Sequence, residues 1–365
     1  MHNNTELVDH RGEPFNPQHV GRAPYGRSAH RKVSNIAKLI PINGDALYKT
    51  YSHIRLWKAC GSDQPPTSAH PRLTEVLEQK RTEFQYTKPD DPMAFSSYLH
   101  SVCDQLETAM VFADSMMPNP LQESASGRLY RSWLQRCHRV VRMAALHEMW
   151  CFDFHACHHV IFQFSAREAG IDCPYLDEYL QDKQAYREAL AAELDVLPVQ
   201  AKEALITLAY GAGITHRERY GKPAAIPAIL GIEAFMKVKE SARIKGLAEE
   251  LKVIAAYMRG TARTKNSYLL NALWLPMKID GNSNATQTAH LVQGIEAQML
   301  SAAIRAHHRG SRPGRYVVQL PLHDGWITRL KRDPEVAALA VKLKTGIDIK
   351  VECKQYDLID LQRNK

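Results

Sequence analysis

The sequence predicts an α+β fold, in which a small antiparallel sheet is combined with long helical segments. Three observations predict it. Apolar, β-prone runs lie at 149–154, 317–320 and 326–328, whereas residues 173–262 are dominated by helix-forming side chains. After these runs, DPEVAALAVKLK is typical of a helix and IDIKVECK of a strand. Strands and helices grouped in this way favour an antiparallel sheet with helices packed on it.

Composition limits the classes of function. The chain has 365 residues, with 47 Lys and Arg against 39 Asp and Glu and a pI near 9.0, so it is long enough for one or two domains and favours a polyanionic partner. Seven cysteines show no paired spacing, and the chain has neither a signal peptide nor an apolar run of membrane length. We therefore expect reduced thiols, no membrane association and a cytoplasmic location, or the host compartment of a mobile element or virus. Protein partners are not indicated.

The first third of the chain is predicted to be an arm followed by helices. Residues 1–33 are polar and basic, which is typical of a flexible basic arm. Residues 34–125 are predicted to be an N-terminal helical region, broken at SDQPPTSAHP and TKPDDP. The pair Asp90-Asp91 is not flanked by strands, so we do not interpret it as a catalytic pair.

An aspartate interrupts the first apolar strand, MWCFDF, at Asp153. A charge in such a strand must be paired, neutralised or bound to a cation. Strand alternation places Cys151, Asp153, His155 and Cys157 on one face, which suits the lining of a site. Zinc is the alternative, but structural zinc sites usually show two well-spaced ligand pairs. The residues that could bind it show no such pairs: Cys151, His155, Cys157, His158, His159 and Cys173.

Residues Pro198–Tyr210 predict a helix that begins with proline and is ended by Gly211 and Gly213. Lys202 and Tyr210 are two turns apart, so they lie on one stripe of that helix. Such a stripe can hold a triphosphate with the cation while the ring stacks below a base. The alternative is an amphipathic helix with a surface lysine and a core tyrosine.

The tripeptide His323-Asp324-Gly325 lies between the last two apolar runs and predicts a hairpin, with Gly325 taking a positive φ. Carboxylates from Asp324 and Asp153 together suit Mg²⁺, which prefers few protein carboxylates, waters and phosphates. Two such metals can stabilise the attacking and leaving oxygens of a phosphoryl transfer. Taken singly, Asp153 is better explained as a strand cap and Asp324 as a turn residue.

The order of these elements resembles motifs A, B and C of family A DNA polymerases and of the related phage-type single-subunit RNA polymerases. Two further segments fit that resemblance. SGRLYRSWLQRC, with Arg128, is similar to the family's Gly-Arg-Leu segment, and NATQTAHLVQGIEAQ is similar to its Gln-Gly helix, here Gln293 and Gly294. The resemblance covers roughly residues 126–354.

The resemblance implies a right-hand polymerase-like fold. Its palm would consist of residues 126–172 and 281–365, with an antiparallel sheet, and residues 173–280 would form a helical fingers insertion. The N-terminal helices would act as a thumb-like element. The implied reaction is template-directed nucleotidyl transfer with two Mg²⁺ ions, for which Mn²⁺ is a possible substitute. The implied partners are a nucleic-acid template and primer and nucleoside triphosphates.

The resemblance also implies residue roles. Asp153 and Asp324 would bind the metals, and Lys202 would neutralise the triphosphate. The remaining residues would contact nucleotide or nucleic acid: Tyr210 by stacking, Gly211 by close approach of the strand, Arg128 through phosphate, Gln293 and His323 at the primer end, and His158 at the sugar.

This sequence departs from the family at several of these motifs. Pro198 stands where the family has an arginine, Ile206 replaces an aromatic residue, and Gly325 follows the motif C aspartate. His158 replaces the glutamate that crowds the sugar 2′-hydroxyl in the DNA enzymes. The length leaves no room for a proofreading or promoter-binding domain, so we expect a compact DNA polymerase. The alternatives are an RNA-synthesising primase or compact RNA polymerase, and a non-catalytic nucleic-acid-binding replication protein.

Overall fold

The computed structural model describes residues 36–61, 65, 70–88, 91–130, 132–217, 224–308 and 317–359, so the predicted arm at 1–33 lies outside the described residues. Within these ranges the fold mixes helices with small antiparallel sheets, as the sequence predicts. No helix in this part of the chain combines the length and the apolar character needed to cross a bilayer.

Strands and helices before the central sheet are, in chain order, β1 (Leu39–Pro41), α1 (Gly44–Ala59), α2 (Pro71–Thr87), α3 (Ala94–Met110), β2 (Met116–Pro118), β3 (Gln122–Glu123), β4 (Leu129–Tyr130), α4 (Trp133–Arg136) and α5 (Arg139–Ala145). The rest are β5 (Trp150–Phe154), α6 (Cys157–Ala169), α7 (Pro174–Gln181), α8 (Lys183–Leu194), α9 (Pro198–Ala209), α10 (Ala225–Leu230), α11 (Ile232–Val238), α12 (Ala242–Thr261), β6 (Tyr268–Leu270), β7 (Pro276–Lys278), α13 (Asn284–His308), β8 (Val318–Pro321), β9 (Gly325–Thr328), α14 (Pro334–Thr345) and β10 (Val351–Gln355).

The central sheet is antiparallel and has the strand order β10-β5-β9-β8. The predicted hairpin is confirmed as β8 and β9, and the predicted strands at 149–154 and 351–354 are its partners β5 and β10. The chain leaves the sheet after β5, forms α6 to α13, and returns to it at β8. Residues far apart in sequence are thereby brought onto neighbouring strands of the sheet.

Alternate side chains of the sheet enter two different cores. Phe152 and Trp326 pack with the helices that follow β5, and their rings stack at a centroid distance of 5.3 Å. Cys151 and Ile327 face the opposite side and pack with the N-terminal helices. The expected common face for Cys151 and Cys157 is therefore wrong, because the chain turns after β5 and Cys157 begins α6 within the first core.

The N-terminal region contains more than the helices predicted for it. β1 and β2 pair antiparallel and flank the helices α1 to α3. The Asn119 side chain joins this unit to the central sheet, because its amide donates to Ala37 O at 2.8 Å and Gln319 O at 3.0 Å. The N-terminal helices pack on the face of the sheet that carries Cys151 and Ile327. The strand ends that carry the two aspartates are left to other elements.

Candidate active site

The two predicted aspartates lie at neighbouring ends of β5 and β9, the two inner strands of the central sheet. Asp153 lies opposite Gly325 in the register of β5 and β9, and Phe154 N donates to Asp324 O at 2.9 Å. Each carboxylate is therefore fixed by backbone pairing next to the other. Burial and the neighbouring Asp324 carboxylate raise the pKa of Asp153 to about 7. A cation bound here would relieve that repulsion.

Gly325 allows the two strands to approach each other this closely. A Cβ atom at this position would lie 2.3 Å from Phe152 O and 3.1 Å from Asp153 Oδ1. Its φ is not positive, so the expectation of a left-handed turn glycine is wrong. The glycine is required by the contact across the strands rather than by the turn.

A third carboxylate, Glu352, faces Asp153 from β10. Its Oε1 atom lies 2.5 Å from His155 Nδ1 and 3.3 Å from Lys183 Nζ. Burial opposes ionisation here, but the hydrogen bonds from His155 and Lys183 prevail and lower the pKa of Glu352. Glu352 is thus already paired, whereas its charge still adds to the field that raises the pKa of Asp153.

Cations from two helices face the aspartates. Lys202 projects from α9, and desolvation, with a further contribution from Arg187, lowers its pKa against the opposing effect of Asp153 and Asp324. Lys183, at the start of α8, lies near both Lys202 and Asp153. The side of the site opposite the sheet is therefore positively charged, as a polyphosphate ligand requires.

Four polar side chains form a network beside the carboxylates. Arg128 Nη2 contacts Glu296 Oε2, and His158 Nε2 lies 2.8 Å from the same oxygen. Tyr210 Oη lies 2.9 Å from His158 Nε2 and 3.4 Å from Arg128 Nη2. Glu296 is fully buried and Arg128 is 8% exposed. Arg128 is thus committed to an internal ion pair.

Tyr210 follows α9 directly, and the position of its ring is fixed by the network. The rings of Tyr210 and His158 meet edge to face with their centroids 4.9 Å apart. Burial raises the pKa of Tyr210 to about 12, so its hydroxyl remains protonated. Gly211 has φ 85°, and a Cβ atom there would come within 3.3 Å of Ala285 Cα in α13. This glycine therefore ends α9 against α13.

The Gln-Gly pair lies in α13, and Gly294 faces the Asn271 side chain. A Cβ atom on Gly294 would be 2.5 Å from the Asn271 side chain, which in turn donates to Ser126 O at 3.0 Å. Gln293 is half-buried on the same helix. His323, in the hairpin loop, is close enough to Arg128 for the guanidinium to add to the desolvation that lowers its pKa. The structure therefore brings seven of the predicted residues close together: Asp153, Asp324, Lys202, Arg128, His158, Tyr210 and His323. Gln293 and Gly211 are placed only by their elements, α13 and the end of α9.

Sequence analysis missed Glu296, Glu352 and the α8 cations Lys183 and Arg187. Glu296 gave a usable signal, because it stands at a core position of α13, four residues after Val292 and four before Leu300. Glu352 gave none, since only the register of β10 with β5 places it opposite Asp153.

The residues present fit Mg²⁺ better than a closed protein metal cage. In the described ranges no group of three or more His, Cys, Asp or Glu side chains converges as metal ligands, which weighs against the zinc alternative. Two neighbouring carboxylates are a donor set that Mg²⁺ accepts, because this ion completes its shell with waters and phosphate oxygens.

No protein-family model and no curated protein matches the sequence. Among solved structures, the fold is similar to that of the POL domain of Pol1 from M. smegmatis, determined in complex with DNA primer-template and dNTP. The TM-score is 0.58 at 14% sequence identity, covering 93% of this chain and 70% of that chain. The chain therefore shares the overall fold of that domain.

Proposed function

We propose that this protein is a template-directed nucleotidyltransferase, and specifically a DNA polymerase resembling family A. The observation that carries the proposal is the backbone-fixed pairing of Asp153 with Asp324, facing Lys202, in a polymerase-type fold. The central sheet that carries both aspartates would belong to the palm, and α6 to α12 would be the fingers. A similar structure determined with DNA primer-template and dNTP supports this assignment.

Asp153 and Asp324 would hold two Mg²⁺ ions, which when bound stabilise the attacking and leaving oxygens of the phosphoryl transfer. Lys202 and the α8 cations Lys183 and Arg187 would neutralise the triphosphate from the opposite side. Both lie close enough to Lys202 to lower its pKa. They could therefore supply the positive charge that is missing here because Pro198 replaces the family's arginine. Lys202, whose pKa is lowered, is suited to donate a proton to the leaving pyrophosphate.

Binding of template and primer would use the net charge of +8 and the residues around the aspartates. Tyr210 would stack at the nucleotide insertion site, while Gln293 and His323 would contact the primer end. Arg128 is buried in its ion pair with Glu296, so we assign it a positioning role in place of the predicted phosphate contact.

Primer extension on DNA and RNA templates, with dNTPs or NTPs and with or without Mg²⁺, tests the proposal. Asp153→Asn and Asp324→Asn should each abolish incorporation while leaving duplex binding nearly intact, because binding rests on distributed basic residues. Asp348→Asn is the matched control, since Asp348 only pairs with Lys342 at the surface.

The outcomes separate the alternatives. Incorporation of NTPs alone would assign the protein as a primase or compact RNA polymerase. Metal-independent binding without any incorporation would assign it as a non-catalytic binding protein. Extension by either aspartate variant at the wild-type rate would contradict the metal-ligand assignment.

A further inference from the structure

A buried carboxylate that none of the polymerase motifs assigns lies at the centre of the polar network. Glu296 has no exposed side-chain surface, and it is bonded to Arg128 and to His158. These partners come from two other parts of the chain, the segment preceding β4 and the start of α6. Removing one partner from such a buried pair is strongly destabilising locally, so the three side chains hold one arrangement.

The contacts of Glu296 determine where the His158 proton lies. His158 Nε2 is 2.8 Å from Glu296 Oε2, and a carboxylate paired with an arginine can only accept a hydrogen bond. A lone pair on Nε2 would face that oxygen with no proton between them, so Nε2 carries a hydrogen and donates it to Glu296. The glutamate thereby fixes both the tautomer and the orientation of the ring.

The hydroxyl of Tyr210 is oriented by the same set. Its oxygen lies 3.4 Å from Arg128 Nη2, which carries two hydrogens and can donate one to Tyr210 and the other to Glu296. It also lies 2.9 Å from His158 Nε2, whose single hydrogen is directed at Glu296 and is at most shared with the tyrosine oxygen. The two rings that we place at the incoming nucleotide are consequently held in position through Glu296.

We infer that Glu296 is a specificity-determining positioning residue, which sets the choice between ribose and deoxyribose by holding His158 and Tyr210. The inference rests on the proposed polymerase function and assigns to α13 a role in sugar recognition. Without the negative charge of Glu296, the hydrogen bond from His158 weakens and Arg128 loses its counter-charge, so both rings gain freedom at the sugar and discrimination weakens.

The test compares kcat/KM for dATP and ATP, on one primer-template, between wild type and Glu296→Gln. We expect the preference for the favoured sugar to fall at least ~10-fold toward one, since a displaced pocket residue changes discrimination on that scale. Glu250→Gln is the matched control and should leave the preference unchanged. Glu250 is also a structural carboxylate, but it accepts from Tyr175 N at 3.0 Å and Leu176 N at 2.8 Å, away from the network.

A double variant separates positioning from general damage. If Glu296 acts through His158 and Tyr210, Glu296→Gln combined with His158→Ala should change the preference by clearly less than the sum of the two single effects. A merely structural glutamate would instead lower both kcat/KM values equally. If Glu296→Gln does not fold, Tyr210→Phe replaces it, because this change removes only a hydroxyl of the network and should weaken the preference in the same direction.

The results separate the role of Glu296 from the proposed function on which it rests. Wild-type incorporation with an unchanged preference in Glu296→Gln, or in Tyr210→Phe where that variant is used, would overturn the role of Glu296 alone. Additive effects of Glu296→Gln and His158→Ala would also overturn it. A wild-type protein that incorporates neither nucleotide would refute the proposed function and this inference with it.

Discussion

Asp153 is placed where a carboxylate is costly unless a cation accompanies it. It is partly buried, Asp324 is fixed beside it by the β5 and β9 pairing, and Glu352 faces it from β10. The neighbouring cations do not offset this arrangement, because the pKa of Asp153 remains raised to about 7. Strain of this electrostatic kind is typical of functional sites, where a ligand supplies the missing charge.

The consequence is measurable without any activity assay. Mg²⁺ should raise the melting temperature of the wild-type protein at pH 8, because ions that bind only the folded state stabilise it by mass action. Asp153→Asn removes one ligand charge and one source of repulsion. It should therefore melt no lower than wild type in EDTA and gain much less from Mg²⁺, as measured by differential scanning calorimetry.

Asp348→Asn should keep the wild-type response to Mg²⁺, since its partner Lys342 is at the surface. An equal stabilisation of wild type and Asp153→Asn by Mg²⁺ would show that the ion binds elsewhere.

At the residue scale, sequence analysis found the side chains that interrupt a pattern. Asp153 stands out in an apolar strand and Asp324 in a hairpin, and both meet at one site. The partners of Arg128 were not predictable, because an ion pair between the segment before β4 and α13 depends on tertiary packing. That pair is the reason we propose a positioning role for Arg128 in place of the predicted phosphate contact.

At the scale of elements, the pairing of β5 with β9 depends on Gly325, which has no side chain. Gly325→Ala would place a methyl group 2.3 Å from Phe152 O, and because that atom is backbone, the strands must separate. We expect a loss of ~1–3 kcal/mol in the free energy of unfolding, the usual cost of overpacking, measured by urea denaturation. Nucleotide incorporation should fall as well, because the two aspartates would move apart.

Gly260→Ala provides a control of opposite sign. Gly260 lies in α12, and a Cβ atom there meets nothing within 4 Å. Alanine at that position should stabilise the protein by up to ~1 kcal/mol through helix propensity. A Gly325→Ala variant as stable as wild type would mean that β9 accommodates the methyl group.

Local signals predicted the elements well where they were strong. Pro198 and Gly211 mark the limits of α9, and short β-prone apolar runs mark the hairpin strands. The strands β1 and β2 escaped notice because each has only three residues and is stabilised by its partner from the other end of the N-terminal region. The thumb-like role of this region and the domain boundaries remain predictions.

At the scale of the whole molecule, buried neutral histidines make stability depend on pH. His159 is 2% exposed, its ring lies 4.4 Å from that of Tyr179, and burial lowers its pKa from 6.5 to about 3. Below pH 6.5 the unfolded chain binds a proton that the folded protein does not. Stability from this residue is therefore complete above pH 6.5 and is lost progressively as the pH falls toward 3.

The loss assigned to His159 is ~2 kcal/mol at pH 5 relative to pH 8. His159→Phe keeps an aromatic ring against Tyr179 but cannot take up a proton, so it should reduce the fall in unfolding free energy between these pH values by that amount. Urea denaturation of both proteins at pH 8 and pH 5 measures it. Identical pH dependence in the two proteins would contradict the buried neutral state of His159.

The route by which the chain returns to the central sheet has a consequence for the order of folding. β5 pairs with β9 and β10 only after the helices between them have been traversed, so its two neighbours are distant in sequence. Contacts of this kind form late, because loop closure over a long segment must precede them, whereas α6 to α12 depend on more local contacts. During refolding, helical signal should therefore recover before affinity for Mg²⁺, and the pair of aspartates would be among the last features to appear.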